Sequence, residues 1–288
     1  MTGKEVLLKI KEKVGELGSS CVSEAGKGKS KNKMANKKMT YGCHLVEGRS
    51  AHPMEDYLVA ETKKVDDKEL GLFAIFDGHL SSQVPDYLRS HLFHNILKEP
   101  DFWTDTESAV RKAYGITDTS ILQKAEDLGV GGSTAVTAIL IDYQKLVIAN
   151  VGDSRGVLCK NGVANQLTID HELNTERTKI ENRGGFVSNF PGDVPRVDGQ
   201  LAVARAFGDK GLKEHLSSEP HVVLENIDDD TEFLILASDG IWKVMSNQEA
   251  VDSIKHIQDA KAAAKYLAEE ALARKSIDDI SCIVLRFR

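Results

Sequence analysis

Three apolar runs in this 288-residue chain end on an aspartate. Phe73-Ala74-Ile75-Phe76 runs into Asp77-Gly78, Val147 to Val151 runs into Gly152-Asp153-Ser154, and Leu234-Ile235-Leu236-Ala237 runs into Ser238-Asp239-Gly240. A fourth acidic site, Asp278-Asp279, shortly precedes a last apolar run, Cys282 to Phe287. Charged side chains are rarely buried without a partner, yet these acids stand where strands would leave a core. If those strand ends converge, the carboxylates repel one another and hold their protons more tightly unless a cation lies between them. Donors that are all oxygen select hard ions such as Mg²⁺ or Mn²⁺, and the sequence has no His-rich cluster to suggest zinc. A single Asp-Gly is ordinary turn chemistry. The repetition, with Met54-Glu55-Asp56 upstream, is what points to a metal centre. Glycine after Asp77 and after Asp239 lets backbone approach closely and leaves a carbonyl free to be a ligand.

The rest of the chain narrows the alternatives. Hydrophobic residues make up 41% and charged residues 28%, the balance of a globular protein able to bury a core. A formal net charge of -7 does not suit a nucleic-acid backbone as main partner. No apolar stretch reaches the roughly 18 residues a membrane span needs, so no membrane partner is expected, and the protein is expected in the cytoplasm, the nucleus or both. The four cysteines, Cys21, Cys43, Cys159 and Cys282, form no C-x-x-C pair and read as reduced thiols.

Residues 1–40 differ in character from residues 41–288. Val6, Leu7, Ile10, Val14 and Leu17 recur at helical spacing, which predicts an amphipathic helix that either packs on the domain or docks a partner. A lysine-rich tract from Gly26 to Lys38 reads as a solvated linker or as a nuclear-import or acidic-partner signal. From Tyr41 to the end a single domain is expected. Helices are predicted over 84–97, 109–128, 175–183, 247–257 and 260–274. Strands are predicted over 70–76, 135–141, 145–150, 156–160, 233–237 and 282–287, with hairpin turns at Asp142-Tyr143-Gln144 and Asn161-Gly162. Hairpin-linked strands and helices in separate blocks argue for an α+β fold.

An ordered set of motifs resembles the type-2C, metal-dependent protein serine/threonine phosphatases, and a plant member in particular. The matching blocks are Gly48-Arg49 through Met54-Glu55-Asp56-Tyr57, Phe76-Asp77-Gly78-His79, Gly131-Gly132-Ser133-Thr134-Ala135 and Val151-Gly152-Asp153-Ser154-Arg155. Asp170-His171-Glu172, Val194-Pro195-Arg196-Val197 to Ala204-Arg205-Ala206-Phe207-Gly208-Asp209, Ser238-Asp239-Gly240-Ile241-Trp242 and Asp278-Asp279-Ile280-Ser281 complete the series. The resemblance implies a four-layer αββα arrangement: two antiparallel β-sheets packed face to face, with α-helices on both outer faces. It also implies two Mn²⁺ or Mg²⁺ ions per subunit that activate a water for attack on phosphorus. Asp77 would bridge the ions, the Gly78 carbonyl would bind one, and Asp239 and Asp278 would hold the other, with Asp279 as the alternative to Asp278. Glu55 and Asp56 would act mainly through metal-bound waters. His79 would be the general acid and Arg49 the phosphate clamp. Phosphorylated proteins, protein kinases among them, are the expected partners of a monomeric enzyme.

The chain departs from the family pattern in three places. Arg49 lies six residues before Glu55, where four is usual, with His52-Pro53 between. Leu80-Ser81-Ser82 follows Asp-Gly-His where a glycine is usual. Lys243 replaces an aspartate that helps hold a third ion in many relatives, so a third ion is not expected. The altered stretch after His79 and Lys243 motivate a rival reading, a pseudophosphatase that binds phosphoproteins without turning them over. Gly184 to Gly208 resembles the flap beside the active site, and it lacks the tryptophan that hormone-coreceptor relatives use.

Overall fold

The computed structural model describes residues 38–49, 52–192 and 194–287. The expected N-terminal amphipathic helix and the basic tract as far as Lys37 lie outside them. Two antiparallel sheets face each other. One orders β1 (Met39–Val46), β14 (Ile280–Phe287), β13 (Thr231–Ala237), β7 (Arg155–Lys160) and β8 (Val163–Gln166). The other is built on β3 (Lys68–His79), flanked by β2 (Asp56–Val65) and β5 (Ala135–Ile141), and continues through β6 (Lys145–Val151) to β12 (His221–Asn226). Two short strands, β4 (Gly132–Ser133) and β11 (Phe207–Gly208), extend it at the end where Gly78 and His79 emerge. A small hairpin of β9 (Val187–Ser188) and β10 (Arg196–Val197) stands apart from both sheets.

Alternating side chains explain why the central strands read as unbroken apolar runs. Successive residues of a strand point to opposite faces, and here both faces are covered. Phe73 and Ile75 of β3 face the layer between the sheets, where they join Leu234 and Leu236 of β13 and Ile283 and Leu285 of β14. Leu72, Ala74 and Phe76 face outward and pack with Leu88 and Leu92 of α1 (Gln83–Lys98) and Val110 and Tyr114 of α2 (Thr106–Gln123). On the other outer face, Phe233 and Ile235 of β13 and Cys282 and Val284 of β14 pack with Val251 of α6 (Asn247–Ile254) and Leu267 of α7 (Ala260–Ala273). The layers are those of the expected αββα sandwich, and the α+β reading stands. No described helix is long and apolar enough to cross a membrane.

The helix expected over 109–128 is in fact α2 followed by one further turn, α3 (Ala125–Leu128), with Lys124 between. It starts earlier because the Asp105 carboxylate accepts the Ser108 N–H and caps it. Helix α4 (Leu173–Asn182) starts two residues before its expected position. The hairpin turns have positive φ at Asp142 and Tyr143 and at Asn161 and Gly162, the geometry that matches strand twist. Strands β1, β2, β8 and β12 carry mixed polar and apolar residues and are partly exposed, so their apolar content did not announce them.

Candidate metal centre

Both sheets end at one cleft of about 970 Å³, and six separate chain segments bring acids to it: Glu55, Asp77, Asp153, Asp209, Asp239, and Asp278 with Asp279. Strand pairing sets Asp56 directly opposite Asp77. The Gly131-Gly132-Ser133-Thr134 block holds Asp77 in place: the Thr134 N–H and the Ser133 hydroxyl both donate to the Asp77 carbonyl, at 2.9 and 3.2 Å. Asp239 opens the short helix α5 (Asp239–Trp242). The segments carrying Asp239 and Asp278 interlock, because the Ser238 N–H donates to the Ser281 carbonyl and the Ser281 N–H to the Ser238 hydroxyl. Close approach is what the two glycines supply: a Cβ on Gly78 would lie 2.7 Å from the Glu55 carbonyl oxygen, and one on Gly240 would lie 2.2 Å from that of Asp279.

The electrostatics follow from this crowding. Burial, and then Asp56, Asp239, Asp153 and Asp278, push the Asp77 carboxyl well above the usual carboxylate range. Burial foremost pushes Asp56 up to about 7 and Asp153 up to about 8, with neighbouring acids adding to both. Asp239 is also raised, again first by burial, although Lys243 opposes it. Glu55 is raised by burial. One buried oxygen of Asp56 and one of Asp239 have no hydrogen-bond partner among the described residues. Buried acids with orphaned oxygens and mutual repulsion, with no thiolate among the lining residues, fit a hard divalent cation. The donors line the cleft without closing on a point: among the described residues, no three of His, Cys, Asp or Glu are grouped so as to hold an ion as they stand.

The acidic pair divides by role. Asp279 is buried, and its two oxygens accept the N–H groups of Gly48 and Glu55 at 2.7 and 2.9 Å. It therefore ties Gly48 and Glu55 to the segment that leads into β14. Asp278 is more exposed and faces Asp239 across a shared partner, the Lys243 ammonium. Both line the cleft. His79 follows Gly78 into the cleft, and its Nε2 meets the Asp209 carboxylate at 2.9 Å.

A family model described as Protein phosphatase 2C matches residues 36–280 of the chain. The chain belongs to the protein phosphatase 2C family. It is thereby a metal-dependent serine/threonine phosphatase by kinship, as the sequence resemblance implied. Probable protein phosphatase 2C 39 of Arabidopsis thaliana is 72% identical over 291 residues, covering 100% of each chain. Probable protein phosphatase 2C 62 of Oryza sativa subsp. japonica is 64% identical over 290 residues, covering 100% of this chain and 99% of that one. The crystal structure of a serine-threonine phosphatase 2C from Toxoplasma gondii superposes with a TM-score of 0.79 at 22% identity, covering 94% of this chain and 100% of that one; at that identity the likeness concerns the fold.

Within this protein phosphatase 2C, Arg49 does not line the cleft. It is exposed, and its N–H donates to the Ile277 carbonyl at 2.8 Å. An arginine that does line the cleft is Arg196, from the stretch expected to be the flap, together with Gln200, Leu201 and Val203. Asp209 and Arg196 lie inside matched motifs, yet residue order assigns them no role, because nothing local shows what they face. Other matched residues are structural. Asp170 pairs with Arg155, which also stacks over the Trp242 ring, and His171 Nδ1 accepts the Gly152 N–H at 3.1 Å.

Proposed function

We propose that this protein phosphatase 2C hydrolyses phosphoserine and phosphothreonine in proteins at the cleft between its two sheets. What carries the reading is the gathering of Glu55, Asp56, Asp77, Asp153, Asp239 and Asp278 at that single place, from segments up to more than two hundred residues apart. Asp77, the Gly78 carbonyl, Asp239 and Asp278 would hold two ions of Mn²⁺ or Mg²⁺, with Glu55 and Asp56 around them. When bound, such ions supply Lewis acidity, which makes water nucleophilic near neutral pH and offsets phosphoryl charge.

The protein's own groups do the rest. Glu55 and Asp56, braced by the Glu55–Asp279 and Ser281–Asp56 hydrogen bonds, orient water within the cleft. His79 delivers a proton to the departing serine or threonine oxygen, with the ring held by Asp209. Arg196 offers a guanidinium to phosphoryl oxygens from the flap side. Lys243, where many relatives have an acid, argues against a third ion.

The test is hydrolysis of phosphoserine, phosphothreonine and phosphotyrosine peptides with and without Mn²⁺, alongside Asp77→Asn. Metal-dependent release from the first two, abolished by Asp77→Asn, is the expected result. A phosphoprotein-binding module without turnover is the second reading, favoured by the Lys243 ammonium lying across Asp239 and Asp278. Tight phosphopeptide binding with no turnover at millimolar Mn²⁺ would select it.

A further inference from the structure

We propose that Lys243 is a built-in cation of the centre, one that a divalent ion must displace before Asp239 and Asp278 can bind it. The inference rests on the metal-centre reading above and concerns how that centre is filled.

Lys243 immediately follows α5, four residues after Asp239, and its N–H donates to the Asp239 carbonyl at 2.9 Å. Residues four apart on a helix lie on the same face, which places the Lys243 side chain within reach of the Asp239 carboxylate. Its Nζ pairs with Asp239 Oδ2 and, at 2.9 Å, with Asp278 Oδ2. The remaining oxygens of the two acids are spoken for unequally. Asp278 Oδ1 accepts the Asp279 N–H at 3.0 Å, while Asp239 Oδ1 is buried with no partner. The two oxygens best placed to be drawn together by one positive charge are therefore the two that already share one.

Charge and exposure decide how firm this occupancy is. Two carboxylates and one ammonium leave a single negative charge, where the carboxylates alone would present two. A divalent ion entering beside the ammonium would be repelled by it, and Coulomb repulsion at a few ångströms is substantial even at the high effective dielectric of a protein surface. The Lys243 side chain is 57% exposed, so it can swing into water and keep its hydration. A lysine ammonium is a mobile point charge on a flexible stem; its pair with Asp278 is of the exposed, weak kind, although Asp239 is largely buried. Lys243 is therefore a displaceable occupant: strong enough to weaken metal binding, too weak to prevent it at high metal. The Asp77 side of the centre has no lysine in ion-pair contact among the described residues, so binding should be unequal, with the Asp239–Asp278 side filling last.

The experiment is calorimetric titration of the full chain with Mn²⁺, without substrate, comparing wild type with Lys243→Met and Lys243→Arg, each first shown to be folded by circular dichroism. Removal of the charge should tighten the weaker Mn²⁺ phase about tenfold. Lys243→Arg, which keeps the charge, should leave that phase as weak as in wild type or weaker. Lys243→Gln serves as a second neutral variant should Lys243→Met not fold. Neutral variants that bind Mn²⁺ no more tightly than a wild type that does bind it would overturn the inference and leave the metal centre standing. A wild type that takes up no Mn²⁺ at all would instead remove the reading on which the inference rests.

Discussion

His79 Nε2 lies 2.9 Å from each carboxylate oxygen of Asp209, a residue 130 positions later in the chain. Asp209 is buried, so it orients the ring and leaves Nδ1 as the nitrogen without a partner among the described residues. If His79 protonates the leaving oxygen, its loss matters only when that oxygen is a poor leaving group. His79→Gln should lower kcat on a phosphoserine peptide by roughly 10²–10⁴-fold and lower it far less on p-nitrophenyl phosphate, whose phenolate departs unaided. Asp209→Asn should show the same split, more weakly. Equal losses on both substrates would rule out the acid role.

Chelated protein should lose stability as pH rises, the reverse of a protein held by salt-bridged carboxylates. Burial first, then neighbouring acids, push Asp56 up to about 7 and Asp153 up to about 8. In the unfolded chain these groups release protons near 4. Between about 4 and about 7 to 8 the folded form holds more protons than the unfolded form, so this contribution to stability falls as pH increases. Urea unfolding in EDTA should give a lower midpoint at pH 8 than at pH 5, and Mn²⁺ should reverse most of the loss. Asp56→Asn should shrink the difference. A midpoint in EDTA that is flat or rises over this range would contradict the account.

Gly78→Ala tests the close packing behind Asp77. The added Cβ would lie 2.7 Å from the Glu55 carbonyl oxygen and 2.7 Å from Pro85 Cγ, both poorly able to yield. Overpacking of this kind costs about 1–3 kcal/mol, which thermal unfolding of the metal-free protein would detect. Because the displaced strands carry Glu55 and Asp77, Mn²⁺ should also raise the melting temperature less than in wild type.

Phe73→Ala tests the layer between the sheets. Phe73 is fully buried there and stacks edge-on to Tyr41 at 5.1 Å between centroids. Truncating a buried phenylalanine costs about 3–5 kcal/mol. The loss should appear in urea unfolding with Mn²⁺ present or absent, because the cavity lies in the core and involves no acidic ligand.

Much of this was legible in residue order. Runs such as Phe73 to Phe76 and Leu234 to Ala237 are apolar on both faces of their strands, so they declared the central strands, and the aspartates at their ends stood out against them. Turn chemistry at Asn161-Gly162 and helical spacing in Ala260 to Arg274 were local signals too. What a local signal cannot carry is which distant groups face one another. The partnership of His79 with Asp209, the position of Arg49 outside the cleft with Arg196 inside it, the separate duties of Asp278 and Asp279, and the reach of Lys243 across two acids all depend on how the two sheets and the flap pack. Hydrophobic patterning acts over a few residues and sets strands and helices. The meeting of charges is a consequence of three-dimensional closure, and only the folded chain decides it.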